Sequence, residues 1–70
     1  MPQFRLNKHR RHSNENYEVH MESCQYYNSM QSFIELGNFV FCSTAIRLAQ
    51  TIGYDQVEGC IECCKECNTD

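Results

Sequence analysis

At 70 residues the chain has room for one small domain, and a core of that size is marginal without a further staple. Nine acidic residues against six basic ones leave a net charge of −3, so the chain as a whole is acidic, and its apolar runs, the best being FVFC at 39–42, are far too short to span a membrane. The chain is read as a single small domain over residues 1–70, with 1–2 and 68–70 as frayed tails.

Residues 1–12 carry Arg5, Lys8, Arg10 and Arg11 and no acid. No apolar segment follows them, so a signal peptide is not expected and the cytoplasm is the expected compartment. QFRL at 3–6 and YEVHM at 17–21 alternate polar and apolar residues, the pattern of two short strands. The polar, Asn-containing stretch between them predicts a hairpin loop with the basic residues at its tip. Lys8, Arg10 and Arg11 could there contact a polyanion, but a solvated loop is the favoured reading because the chain as a whole is acidic. ESCQYYNSMQS at 22–32 shows no period and predicts a connecting loop.

FIELGNF at 33–39 predicts a third strand ending at Gly37. Cys42, Ala45, Ile46, Ala49 and Ile52 then follow helical spacing and predict a helix over about 42–52. Ser43 or Thr44 is placed to cap its start, and Gly53 to end it in the left-handed conformation. YDQVEG at 54–59 reads as a polar turn leading into the cysteine-rich end. The expected fold is therefore α+β: a small β-hairpin plus a third strand packed on one helix, stapled by a C-terminal cysteine knuckle.

The six cysteines carry the chemistry. In a reducing compartment they suggest metal ligation before disulfides. Structural zinc takes four thiolate or imidazole ligands in a tetrahedron. His20 and Cys24 form H-x3-C, and Cys60 and Cys63 form C-x2-C. Together they make a candidate Zn2+ site that would tie the hairpin to the far end of the helix. His9 and His12 lie in the polar loop and read as solvated. Cys42, Cys64 and Cys67 stay open as alternative ligands, as redox thiols, or as any pair joined on oxidation. Cys42 sits at the helix start, where the macrodipole favours a thiolate, yet a small buried residue is the more ordinary role.

The string His20-x3-Cys24, Ala45-x3-Ala49-x3-Gly53-Tyr54, Cys60-x2-Cys63 resembles the zinc-binding domain of the Ada DNA-repair protein. Over nearly the whole chain the sequence is also similar to a family of short bacterial proteins with the pattern EVH-x3-C…LG-x-F-x2-C-x2-A…GC-x2-CC-x2-CH. Glu18, Val19, His20, Cys24, Leu36, Gly37, Phe39, Cys42, Ala45, Gly59, Cys60, Cys63, Cys64 and Cys67 match that pattern, and Leu6-Asn7 stands where the family has Val-Asn. The resemblance implies a zinc site on Cys24, Cys60, Cys63 and His20. Because His20 stands where Ada has its methyl-accepting cysteine, methyl repair does not carry over. Cys67-Asn68 replaces a closing Cys-His, so residue 68 is not expected to be a ligand.

Function is read as a small structural zinc protein, an interaction module for a macromolecule, with nucleic acid as one candidate partner. Four filled ligand positions leave no open site, so no enzyme activity is expected. The alternative is a thiol-reactive or redox-sensing protein using Cys42, Cys64 or Cys67. Lys65 would favour a thiolate there, and Glu62 and Glu66 oppose it. A disulfide-stapled exported domain lacks an export signal, and no hydrolase motif is present.

Overall fold

The computed structural model describes residues 2–8 and 16–68. It is an α+β fold, a four-stranded mixed sheet with one helix. The strands are β1 (Gln3–Asn7), β2 (Tyr17–Met21), β3 (Phe33–Asn38) and β4 (Val57–Gly59), in the order β3-β1-β2-β4. β1 runs antiparallel to β2 and to β3, while β4 runs parallel to β2. The third strand thus pairs with β1 rather than extending the hairpin on its β2 side.

Alternation along β1 assigns the two faces of the sheet. Phe4 and Leu6 are fully buried and meet Val19, Leu36 and the helix α1 (Cys42–Thr51) through Cys42, Ala45 and Ala49. The small alanines let the helix lie close to the sheet. Arg5, on the opposite face, pairs across the strands with His20. Residues 22–30 cover that face in successive turns closed by the Cys24 N–H to Met21 oxygen and Tyr27 N–H to Cys24 oxygen bonds, at 2.8 and 3.1 Å. β2 is central and covered on both sides, so Glu18, Val19 and His20 are all buried despite their alternating polarity.

Arg5 belongs to this packing and is not a free cation of the basic arm. Its guanidinium lies 4.0 Å from the centres of both the Tyr27 and Phe33 rings and 2.9 Å from the Glu35 carboxylate, and it donates to the Tyr27 carbonyl at 3.2 Å. Lys8 is exposed at the end of β1; Arg10 and Arg11, like His9 and His12, lie outside the described residues.

Three local expectations change. Neither Ser43 nor Thr44 caps the helix: the N-cap position is Phe41, with no side-chain cap, and both hydroxyl residues are exposed. Ile52 is 48% exposed and lies off the buried stripe. The segment read as a turn before the cysteines contains β4, a three-residue strand held by a non-local parallel partner. Gly53 does end the helix, at φ +118°. At the chain ends read as frayed, the Pro2 carbonyl accepts from Phe39 N–H at 3.1 Å, and Asn68 Nδ2 donates to the Gly59 carbonyl at 3.0 Å.

Candidate metal centre

The parallel β2–β4 register builds the site. Val19 lies opposite Gly59, so the next residues of the two strands, His20 and Cys60, come side by side, and Cys60 N–H donates to the Val19 carbonyl at 3.0 Å. The turns after β2 fold Cys24 back over His20. The turn after β4, closed by Cys64 N–H to the Cys60 carbonyl at 2.8 Å, returns Cys63 to the same point.

One ligand atom from each of His20, Cys24, Cys60 and Cys63 lies within 4.8 Å of all the others. Cys24 Sγ is 3.7 Å from His20 Nδ1 and 3.9 Å from Cys60 Sγ. Metal–sulfur and metal–nitrogen bonds of about 2.3 and 2.0 Å give tetrahedron edges of roughly 3.5–3.8 Å, so these separations suit four ligands around one ion. The four residues that sequence spacing paired are thus brought together, and the group can hold a metal ion.

Burial and polar contacts shape the donors. His20 and Cys60 are fully buried, Cys24 nearly so, and Cys63 is half-buried. Burial pushes the Cys24 thiol up and the Cys60 thiol up to about 12; the Cys63 thiol is raised by its hydrogen bond with Cys64 and then by burial. Without a cation these sulfurs are therefore held neutral, and a bound metal supplies the charge that stabilises them as thiolates. Backbone donors already point at these sulfurs: Met21 N–H lies 3.2 Å from Cys63 Sγ, Glu62 N–H 3.4 Å from Cys60 Sγ, and the Tyr26 backbone bonds to Cys24.

The chain matches no protein-family model, no curated protein and no solved structure.

Two features around the donors were not anticipated. Glu18 Oε1 lies 3.6 Å from His20 Nε2, the ring nitrogen turned away from the thiols. A carboxylate there favours the tautomer that leaves Nδ1 free to ligate. The Glu-x-His spacing on one strand, which puts both side chains on one face, was the available signal. Glu62 also accepts from Gln25 Nε2 at 2.6 Å and from Tyr26 O–H at 3.1 Å, bridging the Cys24 segment to the Cys60–Cys63 turn. Nothing in a local reading links residues so far apart.

The open cysteines are resolved on the other face of the sheet. Cys42 and Cys67 form a disulfide between the first residue of α1 and the 3-10 turn Lys65–Cys67, with Cα atoms 6.7 Å apart. Cys64 keeps a free thiol and is fully buried in the helix-side core. Gly59 is required where the two faces meet: a Cβ there would overlap the Cys64 carbonyl and come within 2.7 Å of both the Cys64 and Cys67 Cβ atoms.

Proposed function

We propose that the chain is a small zinc-stapled interaction module, with one Zn2+ held by His20, Cys24, Cys60 and Cys63. The observation that carries this is the convergence of four sequence-distant donors, three thiols and one imidazole, within 4.8 Å. Three sulfurs and one ring nitrogen are a common structural zinc set, and they suit zinc better than the oxygen-seeking Mg2+ or Ca2+. Four protein donors leave no position for substrate or water, which supports a structural rather than a catalytic role.

The ion would join the loop after β2 to the turn after β4, and so close a chain too short to rely on its core alone. The partner is a macromolecule met through the end of the β1–β2 hairpin, where exposed Lys8 precedes Arg10 and Arg11 in sequence. Nucleic acid is the candidate its charge fits, and steep weakening of binding with salt is the expected signature. The compartment that suits zinc thiolates and the free Cys64 thiol is the cytoplasm, with the Cys42–Cys67 disulfide standing against that trend. No described helix is long and apolar enough to cross a membrane.

Native against denaturing mass spectrometry tests the centre. One zinc per native chain, lost on denaturation at low pH, is expected; a native chain that takes up no zinc from a stoichiometric solution contradicts it.

A further inference from the structure

The carboxy-terminal turn stitches the two faces of the sheet together. Cys60 packs in the cluster with Cys24 and Tyr27, Cys64 packs in the helix-side core, and Cys63 borders both. Successive bonds make residues 59–68 one mechanical unit: Cys64 N–H to the Cys60 carbonyl, Cys67 N–H to the Cys64 carbonyl at 2.9 Å, and Asn68 to the Gly59 carbonyl. Two metal donors lie at one end of this unit, and the Cys42–Cys67 bond pins the other end to α1.

We infer that Cys42–Cys67 is a reversible disulfide that sets how tightly the metal centre holds its ion. The inference rests on the zinc reading above. With the bond closed, Cys60 and Cys63 are positioned before the metal arrives, and less freedom is lost on binding. With it open, the turn is held by its hydrogen bonds and by the packing of Cys60, Cys63 and Cys64, with no covalent tie to α1. Linkage makes the effect reciprocal: bound metal favours the closed disulfide by the same factor.

The chemistry is exchange with a small thiol such as glutathione. Cys67 is half-buried and borders an open cleft with Ser43, Arg47 and Glu66, whereas Cys42 is buried. An incoming thiolate attacks the Cys67 sulfur, and Cys42 leaves as a thiolate that takes up a proton. A second glutathione thiolate attacks the glutathione sulfur of the mixed disulfide. Cys67 is then released as a thiol, and two electrons and two protons have passed from two glutathiones, which leave as one disulfide. Cys64 is fully buried, and the metal occupies the remaining three thiols, so Cys42 and Cys67 are the pair that exchanges.

The full chain is loaded with Zn2+ while reduced and then oxidised with glutathione disulfide. Zinc affinity is read by competition with a chromophoric chelator for the oxidised chain, the reduced chain and the Cys42→Ser/Cys67→Ser double variant. The oxidised chain is expected to hold zinc roughly 5- to 150-fold more tightly than the reduced chain, with the variant indifferent to oxidant. The glutathione ratio at half-reduction, counted by mass, shifts by the same factor when zinc is present. Equal affinities in oxidised and reduced chains overturn the coupling and leave the metal centre standing; absence of zinc binding in every form overturns both.

Discussion

Cys24 Sγ lies 3.9 Å from Cys60 Sγ although 36 positions separate them in the chain. Two buried thiols are brought that close by the parallel pairing of β2 with β4 and by the turns that fold Cys24 back over the sheet. Burial raises both above the ordinary thiol range, so their approach is tolerated without charge and rewarded when a cation replaces their protons.

Zinc affinity should therefore climb steeply with pH. Three raised thiols must each lose a proton, so the apparent association constant is expected to rise by about three log units per pH unit. Unperturbed thiols would flatten this slope near their ordinary value of 9.0, whereas Cys60, at about 12, keeps contributing above it. The metal-free fold has the opposite sign: neutral thiols with raised values stabilise it fully below about 9, and that contribution is lost as pH climbs toward about 12. Chelator competition between pH 7 and 10 measures the slope.

Glu18→Gln should weaken zinc binding without removing a ligand. The carboxylate lies 3.6 Å from His20 Nε2, where it favours the tautomer that leaves Nδ1 for the metal, and loss of such partners typically costs roughly 10- to 100-fold in affinity. Competition titration of the variant, with a thermal melt of the zinc-loaded chain, separates this from general unfolding.

Gly59→Ala should destabilise the chain by about 1–3 kcal/mol, the usual range for overpacking a filled site. The added methyl would meet the Cys64 carbonyl and the Cβ atoms of Cys64 and Cys67, and backbone is among the atoms that must move. A denaturant midpoint that shifts down with an unchanged slope is the expected reading.

The Arg5–Glu35 pair adds an acid-sensitive element away from the metal. Hydrogen bonds from Arg5 and then Gln3 hold the Glu35 carboxyl below its usual value of 4.5. A depressed carboxylate stabilises the fold above its unfolded pKa and ceases to do so as pH falls through the folded value. The melting difference between wild type and Glu35→Gln should be present at pH 7 and fade as pH falls below the usual value of 4.5 and through the lower folded one.

Much of this was legible in the sequence where the signal is local. Alternation in QFRL and YEVHM marks β1 and β2, and the 42-45-49 spacing with Gly53 marks the helix and its end. H-x3-C and C-x2-C each place two donors on one turn, so the four residues could be named in advance. What stayed hidden depends on distant pairing. Val57–Gly59 is too short and polar to announce a strand, and only its bond to β2 makes it one. The Cys42–Cys67 bond follows from how α1 docks, which no spacing records. Arg5 looked like part of a basic arm because its aromatic partners, Tyr27 and Phe33, arrive from another segment.

X-ray absorption at the zinc edge of the stoichiometrically loaded chain tests the proposed centre most directly. One zinc with three sulfurs at about 2.3 Å and one imidazole nitrogen at about 2.0–2.1 Å is expected, the nitrogen signal disappearing in His20→Cys. A shell of four sulfurs in the wild type, or one dominated by oxygen, would contradict it.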